Sequence, residues 1–146
     1  MNSRRPVTTL VYTCLVLLAA LGIHSPPGVA GQVVSGMYKV TETTDLGTQV
    51  HVTLQIRLMN AGEDKIFVTQ VRLRGFLHPG RSEDKPVGVI LEPHGSSEFT
   101  QVFTIDKQEY KLWNKSARPR LGLKIQVAGG AETTMTIALM PQPGSR

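Results

Sequence analysis

From Val50 to Leu58 apolar and polar residues alternate without a break. Val50, Val52, Leu54, Ile56 and Leu58 are separated by His51, Thr53, Gln55 and Arg57. Successive side chains of an extended chain point to opposite sides, so this period of two predicts a strand over Thr48–Met59 with one buried and one wetted face. On a helix the same residues would be scattered around the circumference. Asn60-Ala61-Gly62-Glu63-Asp64 then supplies turn chemistry.

The pattern continues in short units. In Lys65–Leu77, Val71 and Leu73 are expected inward and Arg72 and Arg74 outward. Ile66, Phe67 and Val68 are apolar in succession, which requires either cover on both faces or a bulge that shifts the phase. His78 to Pro86 reads as a long exposed loop, and Val87–Glu92 as a short strand ended by Pro93-His94-Gly95. Glu98–Ile105 places Phe99, Phe103 and Ile105 on one face. Asp106–Lys115 suits one or two helical turns, with Tyr110 and Trp113 three apart on one side. Leu121, Leu123, Ile125 and Val127 alternate with polar or small residues, Gly129-Gly130 turns the chain, and Met135, Ile137 and Leu139 complete a hairpin. A further strand is expected over Val34–Glu42, and a loose tail over Pro141–Arg146. About seven short, turn-separated strands without a long helix predict an all-β fold, an antiparallel β-sandwich of immunoglobulin-like type, with a small β-barrel as the alternative.

Specific turns carry a resemblance. The alternating strand Val50–Leu58, the turn Asn60-Ala61-Gly62 and the run Leu91-Glu92-Pro93-His94-Gly95-Ser96-Ser97-Glu98-Phe99 resemble bacterial immunoglobulin-like modules of the cell-adhesion-related and FxLYD types. The resemblance covers roughly half of the chain after residue 30 and implies a binding or structural module outside the cytoplasm, without catalysis. The chain departs from the pattern where His94 stands between Pro93 and Gly95, and the literal FxLYD string is absent.

The first thirty residues read as an address. Arg4 and Arg5 precede Leu10–Ile23, fourteen residues without a charge, and Gly28-Val29-Ala30 follows. A basic end, an apolar middle and small residues form the layout of a secretory signal peptide, with the cut expected after Ala30. The apolar run is shorter than the roughly 20 residues that span a bilayer as a helix. Residues 31–140 are then the sandwich domain, 141–146 a flexible tail, and the destination periplasmic or extracellular.

Composition narrows the chemistry. The only cysteine, Cys14, falls in the apolar run, so the exported part would have no disulfide, thiolate ligand or thiol nucleophile. Its core must carry the fold alone, which is feasible at this length. Removing Arg4 and Arg5 leaves 14 basic residues against 11 acidic, a charge of +3. No run of like charges or interleaved stacking aromatics points to nucleic acid.

Catalytic patterns are not evident. His51, His78 and His94 lack ligand spacing, no cofactor is implied, and no Gly-x-Ser-x-Gly or phosphate-binding glycine loop occurs. The pairs Glu63-Asp64 and Glu83-Asp84 lie in loops beside basic residues and read as solvated acids. Asn114-Lys115-Ser116 is a glycosylation sequon that would matter only in a eukaryotic secretory pathway.

Two binding candidates remain. Basic residues recur at strand alternation without interleaved acids, and if their strands were neighbours, Arg72, Arg74, Arg118, Arg120 and Lys124 would form one positive face, suited to an anionic glycan or lipid surface or an acidic protein. Alternatively, Tyr110 and Trp113 could stack on a sugar, making a small carbohydrate-binding module, although large aromatics more often cap a core. The leading expectation is a non-enzymatic interaction or structural module.

Overall fold

The protein is described by a computed structural model over residues 33–78, 83–113, 115 and 117–144. These residues belong to one unit within Gln32–Arg146. The expected signal peptide and its cut after Ala30 lie outside the described residues, as do Asn114 and the middle of the His78–Pro86 loop. Among the described residues no helix is long and apolar enough to cross a membrane.

The fold is all-β. Seven strands, β1 (Val34–Asp45), β2 (Gln49–Asn60), β3 (Ile66–Arg74), β4 (Lys85–Leu91), β5 (Ser96–Asp106), β6 (Arg120–Val127) and β7 (Glu132–Pro141), are interrupted by one short helix, α1 (Lys107–Trp113). They follow the order β4-β3-β6-β7-β1-β2-β5. One half, β1-β2-β5, packs over the other, β4-β3-β6-β7, and the edge strands β4 and β5 come back into contact. The architecture therefore lies between the expected sandwich and a small barrel. It is antiparallel except where β1 runs parallel to β7 from Gly36–Leu139 to Tyr38–Pro141. This parallel pairing is a departure from the expected antiparallel fold, and it supplies hydrogen-bond partners to what would otherwise be the open edges of β1 and β7.

The alternating residues of β2 fill the interior. Val52, Leu54, Ile56 and Leu58 are fully buried, and Val71, Leu73, Leu121, Leu123, Ile137 and Leu139 meet them from the other half. At Gly36 a Cβ would stand 2.7 Å from Leu139 Cδ2 and 2.9 Å from Ile137 Cδ1. Only a residue without a side chain lets β1 come this close to β7.

The phase question in β3 is resolved by a bulge. Pairing with both β4 and β6 shifts between Val68 and Gln70. Ile66 and Val68 are buried on one side of the shift and Val71 and Leu73 on the other, while Phe67 points outward. The C-terminal segment is tied down further than expected, since β7 runs to Pro141 and the Gln142 N–H donates to the Tyr38 carbonyl at 2.8 Å.

The two turn motifs behind the family resemblance meet in space through Asn60. This residue is buried. Its side-chain amide donates to the carbonyls of Asp64 (2.7 Å) and Glu92 (3.1 Å), and its Oδ1 accepts from the Gly62 N–H at 2.9 Å. Backbone bonds from His94 to Gly62 and from Asn60 to Gly95 complete the stitch. His94 takes a left-handed φ of 52°, the position that the Pro-Gly pattern would leave to glycine. Removing these partners should strand buried polar groups at about 1–3 kcal/mol each. Asn60→Ala is therefore expected to destabilise the domain by about 2–4 kcal/mol, read as a lower urea midpoint with an unchanged slope.

Candidate functional site

Three neighbouring strands bring most of the expected basic residues onto one outer face. Arg72 lies opposite Gly122, Arg74 opposite Arg120, and Gln70 opposite Lys124, while Thr134, Thr136 and Ala138 of β7 complete the rows. Directly paired residues of a ladder share a face, so β3, β6 and β7 present these side chains together. Arg118 precedes β6 and turns toward the end of β7, where its Nη1 lies 2.7 Å from Met140 Sδ.

A groove of about 230 Å³ crosses this face, lined among others by Arg72, Arg74, Lys124 and Gly122. Gly122 forms its floor. A Cβ there would sit 3.1 Å from Arg74 Nε and 3.5 Å from the Arg72 carbonyl, so glycine leaves room for the Arg74 guanidinium to lie across the backbone. Arg74 Nε is buried in this position and has no hydrogen-bond partner.

Acids reach this face from neighbouring segments, although none is interleaved in the basic alternation of β3 and β6 themselves. Arg72 forms a two-pronged pair with Asp84 at 2.8 and 2.6 Å, and Lys124 pairs with Glu132 at 3.0 Å. Both acids come from the segment that follows their partner's strand: Asp84 leads into β4 and Glu132 begins β7. The hydrogen bond from Arg72 holds the Asp84 carboxyl below its ordinary range, and Asp84 in turn raises the Arg72 guanidinium. Hydrogen bonds from Lys124 and the Thr69 hydroxyl likewise lower Glu132. Asp84 is thus an ion-paired member of the face rather than merely a solvated loop acid.

The helix and its aromatics form a second cluster. Asp106 caps α1 by accepting the Gln108 N–H at 2.7 Å. Tyr110 and Trp113 meet edge to face at 5.5 Å, and Trp113 meets Tyr38 in the same manner at 6.0 Å. All three pack against the core. The indole Nε1 is buried without a hydrogen-bond partner. Burial, then the neighbouring Tyr110, raise the Tyr38 phenol, while Arg118 opposes them. The cluster plugs an end of the core.

Sequence reasoning missed Glu109. It projects from α1 into the end of β3 and is almost fully buried. Its Oε1 accepts the Phe76 N–H at 2.7 Å and its Oε2 the Leu77 N–H at 2.9 Å. A lone glutamate between Gln108 and Tyr110 carries no pattern that separates it from surface acids. Only its position three residues into a capped helix, facing a loop thirty-odd residues earlier, reveals the role. Among the described residues no group of three or more His, Cys, Asp or Glu is placed to hold a metal.

No protein-family model and no curated protein matches the sequence. Among solved structures, the chain is similar to a Northeast Structural Genomics Consortium target, SoR45, at 11% identity and a TM-score of 0.42, over 76% of this chain and 86% of that one. It is also similar to a protein from Archaeoglobus fulgidus at 10% identity and a TM-score of 0.32, over 70% and 89% of the two chains. Neither likeness is close enough to assign a function.

Glu109→Gln keeps the side-chain size but offers only one acceptor to two N–H donors. Amide exchange at Phe76 and Leu77 is expected to accelerate in this variant while exchange in β2 stays slow; equal protection at those two amides would mean that the carboxylate does not hold the loop.

Proposed function

We propose that this chain is an exported, non-enzymatic binding module whose ligand is anionic and lies along the β3–β6–β7 groove. The observation that carries the reading is Arg74, laid over the bare backbone of Gly122 with its Nε unpartnered, in a groove that Arg72 and Lys124 also line. A buried donor without an acceptor costs free energy, so the guanidinium gains by shifting off the Gly122 backbone to pair with an anionic oxygen entering the groove. Guanidinium groups suit carboxylate, sulfate and phosphate because their donors are arranged in a fork. The Arg72–Asp84 and Lys124–Glu132 pairs hold two further cations in place until a ligand competes for them.

The finer description of the fold, an immunoglobulin-like module, is supported by the pairing of β1, β2 and β5 in one layer and of β4, β3, β6 and β7 in the other. Export rests on the basic, apolar and small-residue order of the first thirty residues. A sugar platform on Tyr110 and Trp113 has less to support it. Stacking on a sugar needs an open aromatic face, and both rings are packed against the core and each other.

Two measurements test the reading. Mass spectrometry of the protein recovered outside the cytoplasm should find Gly31 at the N-terminus; an intact N-terminus in the membrane fraction would contradict export. On a heparin column, Arg72→Gln with Arg74→Gln should elute at lower salt than the wild type without much change in melting temperature, since the Arg72–Asp84 pair is half exposed and Gln replaces the Arg74 donor with an amide donor. Asp84→Asn with Glu132→Gln should elute at higher salt, because it releases Arg72 and Lys124. For the same reason retention should rise as pH falls through the lowered Asp84 and Glu132 carboxyls, below the usual carboxylate range. Identical elution of all three proteins would leave the groove as an ordinary solvated sheet exterior.

A further inference from the structure

The basic face changes character at one end. Where β3 leaves the sheet, Phe76 and Leu77 are 43% and 49% exposed, and Met140 of β7, next to the buried Leu139, is 43% exposed. Large apolar side chains standing in water at adjacent positions cost free energy in a folded domain unless something covers them. They are set among cations. The Arg120 guanidinium lies over the Phe76 ring at 5.3 Å, Arg118 contacts Met140, and Arg74 is paired across the ladder with Arg120. Among the described residues none of Arg74, Arg118 and Arg120 forms a salt bridge.

The exposure is enforced by the fold. The two backbone N–H groups that carry Phe76 and Leu77 are both bound by the buried Glu109 carboxylate. That clamp fixes the backbone of the dipeptide. A rigid backbone also lowers the ordering cost when the side chains enter another phase.

We propose that this end of the β3–β6–β7 face docks on an anionic lipid bilayer, with Phe76 and Leu77 entering the interfacial region and Arg74, Arg118 and Arg120 meeting the headgroup phosphates. The proposal rests on the anion-binding reading of the face and names the source of the anion. An exposed apolar dipeptide with a guanidinium laid over its Phe76 ring needs no complementary pocket, and a bilayer supplies apolar depth and negative charge in that same order. A free polyanion would use the arginines and leave Phe76 and Leu77 in water. Charge and apolar insertion are both needed, because a single weak anchor gives only marginal, reversible attachment.

Vesicle co-sedimentation and heparin retention separate the two claims. The wild type should bind vesicles of phosphatidylcholine and phosphatidylglycerol in equal parts and not vesicles of phosphatidylcholine alone. Phe76→Ser with Leu77→Ser should weaken anionic-vesicle binding by about ten-fold or more, in keeping with the loss of two partly buried apolar side chains. The same variant should elute from heparin as the wild type does and melt at a similar temperature. The N-terminal segment is common to all the proteins, so differences between them report on the tip. A second variant, Phe76→Trp, should show a blue shift of its emission, relative to the Trp113 background of the wild type, when anionic vesicles are added. Undiminished vesicle binding by the serine variant, or an unshifted emission, would overturn the bilayer proposal. Heparin retention without vesicle binding would also overturn it and leave the anion-binding reading intact. Loss of both in the wild type would overturn the two together.

Discussion

The contact between β1 and β7 is the constraint on which the rest of the sheet depends. Gly36 stands where any side chain would drive into Leu139 and Ile137. Because that position is empty, three residues of parallel pairing suffice to join the two halves, and the inward rows of both seal one core. The sheet then needs no covalent staple, and the described residues contain no cysteine. Closure at this joint also leaves β3, β6 and β7 side by side, with their outer surface facing water.

That outer surface depends on a second glycine. Gly122 gives the Arg74 guanidinium a place against the backbone. The strand register then sets Arg72, Arg74, Arg120 and Lys124 close together, although β3 and β6 are far apart in the chain. Asp84 and Glu132 limit the resulting repulsion. They hold only two of the four cations, Arg72 and Lys124, whereas Arg74 and Arg120 form no salt bridge among the described residues. The Glu109 clamp acts on the same region from behind, linking α1 to the loop that follows β3.

Much of this was legible in the chain itself. The alternation of Val50 to Leu58 identified both the strand and its buried side, and Leu121–Val127 did the same for β6, because a period of two has one geometric solution. The succession Ile66-Phe67-Val68 signalled a break in phase, which the bulge before Gln70 accounts for. Arg72 and Arg74 were assigned outward correctly from their neighbours. Asp84 and Glu132 escaped notice because ion pairs across strands leave no mark at fixed sequence spacing. The parallel joint escaped for a related reason: hydrophobic period reports which face is buried, whereas partner and direction are decided by long-range packing. Asn60 was read as a turn residue, and its link to the Glu92 turn became visible only when the two loops met.

The joint between the first strand and the last has a kinetic meaning. Gly36 cannot meet Leu139 until β7 is available, so the final sealing of the core waits for the last strand of the sheet. Pairings this distant in sequence are slow to form, since the loop between them must be closed before any contact rewards it. A partly synthesised chain therefore stays open and threadable. Such a delay is written into the order of the strands.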